Sequence, residues 1–405
     1  MARKKKEDFF DLVSQRFTKY KRQKPKNKAW GVVMDCFDNL GYETKDGKKP
    51  LLLEKEVKSY GMYLRLHLPP GISYKQVIKD RDFFETATAK EVEITWKNGC
   101  VHMSIQDPLP TNVLYEWDPE PYKKMILPFP VGWDHTKLIA DDLSRKPHLL
   151  IGGATNFGKT NFLRGLIAAL LPMAYIVLID LKGVDFPYLE GHVGMMVEEP
   201  VEVAEILQML NDEHDRRKRI LRANKAVKIQ NYKSNYKSDY KSNDKGDDLP
   251  YIVCIIDEVA EVDKKDIHYI NRLVRLSRAM GIHIVAATQR PSVQVLDGDT
   301  RSQFMGRLCF PVASEIDSRM ILGEEHSDAA WLPSVEGIAL YKTGRELKKV
   351  QTMFLDDKVA EKMLLDIPAR RWGEVEFSSP VKQSKQPAKK EYKLLRPRQK
   401  NSPND

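Results

Sequence analysis

The fold of this 405-residue chain is decided by one stretch, Gly153-Ala154-Thr155-Asn156-Phe157-Gly158-Lys159-Thr160. The stretch fits the phosphate-binding pattern G-x-x-x-x-G-K-[ST] in full, in which glycines let backbone amides approach phosphate oxygens. An apolar run, His148–Gly152, precedes it, and a helical pattern, Asn161–Leu171, follows it. Because the motif requires this strand–loop–helix setting, the stretch predicts a nucleotide site at the end of a buried strand.

The chemistry of the motif assigns a role to each residue type. Lys159 places a cation on the β- and γ-phosphates of ATP, and Thr160 offers its hydroxyl to Mg²⁺. The start of the following helix adds partial positive charge. We assign the nucleotide contacts to this loop and to the residue after it: Gly153, Ala154, Thr155, Asn156, Phe157, Gly158, Lys159, Thr160 and Asn161.

A pair of carboxylates supplies the second half of the site. The apolar run Tyr251–Ile256 predicts a buried strand, and Asp257 and Glu258 follow it directly. Burying two carboxylates is costly unless they have partners or a function. We therefore predict that Asp257 holds Mg²⁺ and that Glu258 orients and deprotonates the attacking water.

A further polar residue ends another predicted strand, His283–Ala287, which is followed by Thr288, Gln289 and Arg290. A side chain there could reach the γ-phosphate from the neighbouring strand, and we choose Gln289 for this sensing role. The alternative is that Gln289 only caps the strand end.

The wider pattern divides the chain into segments. Short apolar runs alternate with helical stretches from about residue 126, which predicts a mostly parallel α/β sheet. The runs are His148–Gly152, Tyr175–Ile179, Tyr251–Ile256, His283–Ala287 and Arg307–Val312, with Gly337–Tyr341 and Lys349–Phe354 as a terminal hairpin. The predicted segments are a basic arm (1–30), a small α+β domain (31–115), the nucleotide-binding domain (116–356) with a low-complexity insertion (225–249), and a basic, disordered tail (357–405).

The small domain is predicted from local patterns. Tyr60–Leu68 alternates like a strand, Ser73–Thr86 reads as a helix, and Glu91–Trp96 with Val101–Ile105 flanks a hairpin turn. The insertion contains the tandem repeat Asn-Tyr-Lys-Ser from residue 231. Its tyrosines and lysines would suit nucleic acid by stacking and charge, but a repeat expansion tolerated in a surface loop explains them too.

The charge of +9 is concentrated at the two ends. Residues 1–30 carry eleven Lys and Arg against three Asp and Glu, and residues 381–400 carry eight against one, so the remainder is net acidic. Such ends suit a polyanion such as nucleic acid or an anionic membrane, or are solvated and disordered. No apolar run reaches the ~18–20 residues of a membrane-spanning helix. With four dispersed cysteines and no signal peptide, we expect a cytoplasmic protein with reduced thiols.

These residues resemble the FtsK/SpoIIIE family of DNA translocases. The resemblance lies in Pro147–Thr160, Ile179–Lys182, Pro250–Glu261, Gly281–Ser292 and Ser314–Arg319, and covers about residues 126–356, with a weaker one over 56–107. It implies a RecA-like P-loop (ASCE-type) motor domain preceded by a small α+β domain. It also implies a homo-hexameric ring with DNA in its hole and ATP sites shared between subunits.

A shared site implies an arginine from the neighbour, which stabilises charge as the γ-phosphate leaves. Arg307 matches the expected position, and Arg290 and Arg319 are competing candidates; any of the three could be structural instead. DNA contacts are expected from loops that face the hole, with Lys264 and Lys265 on one loop and Arg301 on the other. These cations could equally be solvated surface residues.

Departures from the family narrow the expected function. About 50 residues follow Phe354, which is too few for the DNA-reading domain of the cell-division members, so the chain looks more like the FtsK-like coupling ATPases of Gram-positive conjugative elements. We expect ATP hydrolysis that drives DNA transfer, with relaxosome or membrane-channel proteins as partners and membrane attachment through one of them. The alternatives are an ATP-dependent DNA-binding factor in plasmid replication or partition, and a protein-secretion ATPase of the same superfamily.

Overall fold

The computed structural model describes residues 29–58, 61–232, 249–289 and 296–364. These residues form two sheets, one of four strands and one of ten. The helices are α1 (Ala29–Asn39), α2 (Tyr74–Lys79), α3 (Arg81–Thr88), α4 (Lys159–Leu170), α5 (Pro200–Ala223), α6 (Ile267–Leu276), α7 (Gly298–Ser302), α8 (Glu315–Leu322) and α9 (Asp357–Leu364).

The smaller sheet is antiparallel, with the strand order β1-β2-β4-β3. Its strands are β1 (Leu51–Lys58), β2 (Gly61–His67), β3 (Glu91–Lys97) and β4 (Cys100–Gln106). In β2 and β4 every second side chain is buried, because one face packs against α1 and α3 through residues such as Phe37 and Phe84. The helix predicted over Ser73–Thr86 is two helices that meet at Asp80, whose carboxylate accepts a 2.5 Å hydrogen bond from Tyr42.

The larger sheet has the order β6-β5-β14-β13-β12-β7-β11-β10-β8-β9. Its strands are β5 (Pro128–Trp133), β6 (Leu138–Asp142), β7 (Leu149–Gly152), β8 (Ala174–Ile179), β9 (Met195–Val197), β10 (Tyr251–Ile256), β11 (Ile282–Thr288), β12 (Gly306–Cys309), β13 (Ile338–Thr343) and β14 (Glu346–Gln351). The run from β12 to β9 is parallel, and the strands from β13 to β6 pair antiparallel. The predicted α/β fold with a mostly parallel sheet is confirmed.

Helices cover both faces of the parallel strands. Alternate residues of β10 belong to different cores: Val253 and Ile255 pack with α4, whereas Ile252 and Cys254 pack with α5, α6 and α8. Every residue of β10 and β11 is buried. Strands enclosed in this way read as continuous apolar runs rather than alternating ones, which explains the sequence pattern.

The structure corrects two expectations about the segments. The disordered tail predicted from residue 357 begins instead with α9, which buries Ala360 and Leu364, and Ala360 packs on Ala168 of α4. The first repeat tyrosine, Tyr232, is also buried, so the insertion does not begin as a free loop. The rest of the repeat, the basic arm at 1–28 and residues 365–405 lie outside the described residues.

The two sheets are joined by a cross-domain ion pair between Lys349 of β14 and Glu91 of β3, at 2.7 Å. Among the helices that the structure describes, none is both long enough and apolar enough to cross a membrane.

Candidate nucleotide site

The phosphate-binding loop is held in shape by its surroundings. It joins β7 to α4, with positive φ at Asn156 (66°) and Gly158 (104°). A Cβ at Gly153 would lie 2.6 Å from Cβ of Phe310, so this position requires glycine. The backbone N–H of Ala154 donates to the carbonyl of Pro311 at 2.9 Å, and the carbonyl of Phe157 accepts from Gly337 at 3.0 Å. The loop is therefore anchored from both sides without a ligand.

The loop leads directly into the N-terminus of α4. Its N-cap is Gly158, which has no side chain to occupy the first backbone N–H groups. These N–H groups and the helix dipole favour an anion at this point. Thr160 lies in the first turn and is half-buried. The geometry suits a phosphate chain that lies against the start of the helix.

Lys159 is buried and paired. Its ammonium lies 3.3 Å from Oε2 of Glu258, and the two side chains are 5% and 7% exposed. Burial lowers the pKa of Lys159, while the nearby Glu258 and Asp257 act in the opposite direction. The two residues that the sequence assigns to phosphate binding and to catalysis therefore neutralise each other in this structure.

Glu258 is also fixed by the end of β11. The backbone N–H of Gln289 donates to both carboxylate oxygens of Glu258, at 3.2 and 2.9 Å. The predicted contact of Gln289 was through its side chain, whereas the structure brings its main chain to the carboxylate of Glu258. Both carboxylate oxygens are thus oriented before any nucleotide is present.

Asp257 lies in a second charged group that the sequence did not resolve. Its carboxylate is 1% exposed, and Nζ of Lys182 lies 3.4 Å from its Oδ2 and 3.7 Å from Oδ2 of Asp185. Asp180 accepts backbone N–H bonds from Lys182 and Asp185, each at 3.3 Å, which shapes the turn after β8. Burial raises the pKa of Asp257 to about 6, although Lys159 and Lys182 oppose this.

These carboxylates fit a divalent cation. Oxygen atoms of Asp180, Asp185 and Asp257 lie within 4.8 Å of one another. Oδ1 of Asp257 is buried and has no hydrogen-bond partner among the described residues. An all-oxygen donor set suits a hard ion such as Mg²⁺. The sequence signal for Asp180 was its place after a buried strand, β8, beside the strand that carries Asp257.

Asn161, which the sequence assigns to the nucleotide, has other partners. Its amide donates to the carbonyl of Met353 at 2.7 Å and accepts from the backbone N–H of Leu355 at 2.9 Å. Asn161 thus ties α4 to the chain that follows β14.

The predicted arginines and lysines lie apart from the loop. Arg307 is the second residue of β12, in which Gly306 pairs with Leu149 and Cys309 with Gly152. Arg307 therefore lies nearer the amino ends of the strands, and the phosphate loop lies at their carboxyl ends. Arg301 is close to Arg307 in space, not on a separate surface. Lys264 and Lys265 are exposed beyond β10, and Lys265 lies 3.2 Å from Asp263.

Of the two arginines that compete with Arg307 for the role in a neighbour's site, the structure describes only Arg319. Arg319 pairs with Glu315 on α8 at 2.7 Å. Arg290 lies outside the described residues, as does the chain from 290 to 295.

Residues 116–293 match the model of the FtsK/SpoIIIE family. The chain contains an FtsK/SpoIIIE domain. The predicted resemblance is thereby confirmed over the loop, both carboxylates and Gln289. Arg307 lies beyond the matched range.

Curated relatives agree with this domain. The chain is 34% identical over 272 residues to the DNA translocase FtsK of Clostridium tetani, which is 63% of this chain and 35% of that protein. It is 35% identical over 215 residues to the FtsK of Borreliella burgdorferi, covering 50% of this chain and 27% of that protein. The chain thus spans only 35% and 27% of the lengths of these two relatives.

Solved structures share the fold. The pCW3 conjugation coupling protein TcpA, in its monomer form with ATPγS, has a TM-score of 0.61 and 24% identity and covers 84% of this chain and 99% of that chain. The cytoplasmic domain of the Thermomonospora curvata type VII secretion ATPase EccC has a TM-score of 0.54 and 23% identity, over 66% of this chain and 33% of that one. At these identities the likeness shows the fold alone, which is that of P-loop ATPase domains.

Proposed function

We propose that this protein is an ATP-dependent DNA translocase that works as a hexameric ring and acts as the coupling ATPase of a conjugative element. One observation carries the proposal: a preformed phosphate loop lies beside two ion pairs that each contain a buried carboxylate, Lys159 with Glu258 and Lys182 with Asp257. A site that only bound nucleotide would not need Glu258 fixed by two N–H contacts.

Binding of ATP would break the first pair. The β- and γ-phosphates compete with Glu258 for the ammonium of Lys159, and several backbone N–H groups assist them. Because Glu258 keeps the N–H of Gln289, it stays in place when Lys159 leaves. The exchange converts a neutralised carboxylate into a free base beside the γ-phosphate.

Hydrolysis then follows from the freed carboxylate. The water oxygen attacks the γ-phosphorus while one water proton passes to Glu258. The bond from the γ-phosphorus to the bridging oxygen breaks, leaving ADP and inorganic phosphate. Gln289 holds Glu258 in place through its main chain, and among the described residues no hydrogen bond engages its side chain, which we assign to the sensing role.

Mg²⁺ would be held by Thr160 and Asp257, with Asp180 and Asp185 beside them. When bound, the ion neutralises charge that develops on the phosphate oxygens. Oδ1 of Asp257, which has no partner among the described residues, would face the ion, while Lys182 stays near Oδ2 of Asp257 at 3.4 Å and Oδ2 of Asp185 at 3.7 Å.

The ring is supported by the position of Arg307. It lies towards the strand ends opposite to its own phosphate loop, so it would serve the nucleotide of a neighbouring copy rather than its own. Arg319 is less suited, because its guanidinium is already paired with Glu315. Among the described candidates, Arg307 remains our choice for the arginine that completes the site in trans.

Two parts of the proposal, DNA as the substrate and conjugation as the process, depend on the similar proteins. The relatives named DNA translocase FtsK and the coupling protein TcpA support DNA as the substrate and conjugation as the process. Lys264 and Lys265 are exposed on the loop beyond β10 and are our candidates for phosphate contacts. Relaxosome and channel proteins at the inner face of the membrane are the expected partners.

The test is ATP hydrolysis by the full chain without DNA, with single-stranded DNA and with duplex DNA. We expect DNA to raise the turnover of the parent protein, and Glu258→Gln to abolish turnover while it still binds ATPγS. Turnover that is the same with and without either DNA would refute translocation and would favour the likeness to the secretion ATPases.

A further inference from the structure

The end of α5 and the chain that follows it carry a concentration of positive charge. Residues 218–232 contain five Lys and Arg and no Asp or Glu. All five of these cations are exposed: Lys218, Arg219, Arg222, Lys225 and Lys228. The chain between its two basic ends is net acidic, so this segment departs from the charge of its surroundings.

A second segment brings arginines to the same part of the surface. Residues 267–281, from the start of α6 to the residue before β11, contain Arg272, Arg275 and Arg278 and no Asp or Glu. Arg272 donates to both carboxylate oxygens of Asp215 on α5, at 2.7 and 2.9 Å, and thereby holds the two helices side by side. Arg275 and Arg278 are exposed. We call these two arginines and the five cations of the first segment the basic face.

The basic face lies towards the amino ends of the parallel strands. The buried Arg217 of α5 donates to the carbonyl of Met280 at 2.9 Å, and β11 begins two residues later at Ile282. Lys264 and Lys265, the cations that we expect on a loop facing the hole, precede the opposite end of α6. Because α6 contains ten residues, it is about 15 Å long. The basic face is therefore separate from that loop.

The carboxylates around the basic face are fewer than its cations. Asp215 pairs with Arg272, and Asp297 acts on Arg275 from a greater distance. Asp212 is exposed on α5, six residues before the first cation of the face. Among the described residues, no cation of the basic face forms an ion pair within 4.0 Å, whereas the neighbouring Arg272 does. A net positive charge therefore remains on this surface.

Stabilisation of the helix explains only a small part of this charge. The C-terminus of a helix carries about half an elementary negative charge, which Arg222 in the last turn of α5 already matches. The buried carboxylate of α5, Glu213, is bound by Arg216 and Arg217 and needs no further cation. Exposed like charges held close together repel one another. A polyanion that lies across the basic face would remove this repulsion.

The spacing and chemistry of the basic face suit a phosphate backbone. Lys218 and Arg222 are four residues apart and therefore lie on the same side of α5. Four of the seven cations are arginines, whose planar guanidinium groups bind phosphate through paired N–H groups. An anionic membrane is less suited, because a helix that lies on a membrane needs a free apolar side. The apolar side of α5 is instead buried in the protein, through Leu207, Leu210 and Leu221.

We propose that the basic face binds the phosphate backbone of DNA, at a place distinct from the loops that we expect to face the hole. The proposal rests on the function proposed above in one respect, namely DNA as the cargo. One protomer would then contact DNA at both ends of α6, through Lys264 and Lys265 at one end and through the basic face at the other. DNA would stay bound when either contact is released.

The test measures the salt dependence of duplex DNA binding by the full chain, using fluorescence anisotropy without nucleotide. The basic-face variant combines Lys218→Gln, Arg222→Gln and Arg275→Gln. Each phosphate contact contributes about 0.9 to the slope of log K against log salt concentration, so the loss of three contacts should lower the magnitude of the slope by about 2.7. We also expect at least tenfold weaker affinity at about 0.1 M salt.

The matched control neutralises three exposed cations elsewhere on the same domain, Lys123→Gln, Lys124→Gln and Arg345→Gln. It has the same net charge as the basic-face variant, and both keep the basic ends of the chain, so differences between them report the position of the cations alone. The control should keep the slope of the parent protein, and circular-dichroism melts should show that both variants fold.

Equal slopes and affinities in the basic-face variant and the control would overturn the proposal. So would a basic-face variant that binds DNA like the control but no longer binds vesicles of phosphatidylserine and phosphatidylcholine, since that result would assign the face to a membrane. ATP turnover tests the proposed function separately. If DNA leaves turnover unchanged while the slope still falls in the basic-face variant, translocation is refuted and the DNA-binding face is retained.

Discussion

The two ends of the parallel strands handle charge in opposite ways. At the carboxyl ends, Lys159 and Lys182 face buried carboxylates at 3.3 and 3.4 Å. At the amino ends, Arg301, Arg307 and Lys342 donate hydrogen bonds to backbone carbonyls, and the carboxylates that act on them, Asp297 and Glu325, are more distant. The first end is neutralised internally and has to exchange partners to bind ATP. The second holds its cations by hydrogen bonds to carbonyls rather than by direct ion pairs among the described residues.

The difference teaches that the two ends hold their cations by different groups. The ion pairs of Lys159 and Lys182 keep the nucleotide site charge-balanced, since an unpaired buried ion would cost several kcal/mol. Arg301, Arg307 and Lys342 are held instead by the carbonyls at the end of α8. A ring in which one copy's amino end meets the next copy's nucleotide site would bring Arg307 of one copy to the nucleotide of the next.

The largest effect is expected from Lys159→Ala. Without the ammonium, the phosphates of ATP lose their buried cation, so ATPγS affinity should fall at least 100-fold. Glu258 loses its partner but keeps two contacts from Gln289, so the protein should still fold. Titration with ATPγS and a circular-dichroism melt check both points.

The matched control for this change is Lys348→Ala, a lysine whose side chain is 40% exposed and whose partner is Glu346 at 3.2 Å. It should bind ATPγS like the parent protein. An unfolded Lys159→Ala protein, or one that binds ATPγS normally, would contradict the role given to the carboxyl-end pairs.

A smaller effect, on the pH dependence of stability, is expected from His283, a buried and uncharged residue near the amino end of β11. His283 is fully buried and stacks on Tyr251, and burial followed by Arg217 and Arg278 lowers its pKa from 6.5 to about 3. Below pH 6.5, His283 therefore binds a proton in the unfolded chain but stays neutral in the folded protein. Stability should fall as the pH drops, by about 1.4 kcal/mol at one unit below 6.5 for this residue.

The measurement is urea unfolding at pH 7.5, 6.5 and 5.5 for the parent protein and for His283→Gln. Asp257, with its pKa raised to about 6, changes stability in the opposite direction, but it does so in both proteins and cancels in the comparison. The loss between pH 6.5 and 5.5 should be smaller in the variant. Parallel pH profiles would show that His283 is not held neutral in the folded state.

The sequence predicted the carboxyl ends much better than the amino ends. The phosphate loop, Asp257 and Glu258 follow apolar runs directly, so local pattern alone places them at one sheet edge. The pairing of Lys182 with Asp257 joins residues 75 apart and depends on β8 lying beside β10, which no local pattern reveals. The main-chain contact of Gln289 was missed because residue type predicts side-chain chemistry and not backbone geometry.

The antiparallel half of the sheet was also only partly foreseen. β5 contains Pro128, Pro130 and Gly132, residues that normally argue against a strand interior. The strand accommodates these residues through a register shift between Pro130 and Gly132. Glycine is required at position 132, because a Cβ there would lie 2.6 Å from the carbonyl oxygen of Gln351. Likewise, Arg301 and Arg307 meet Lys342 only because β13 pairs with β12, a contact set by tertiary structure.

The most direct test of an ATP site shared between copies measures ATP hydrolysis by a mixture of two inactive variants. Glu258→Gln keeps Arg307 but cannot activate water, and Arg307→Ala keeps its nucleotide site but lacks the cation that we assign to a neighbour's site. If the two ends complement each other between copies, each variant alone should hydrolyse ATP at under about a tenth of the parent rate, and the mixture should exceed the sum of the two. A mixture that is no more active than its components at every ratio, or an Arg307→Ala protein with the parent rate, would contradict the shared site.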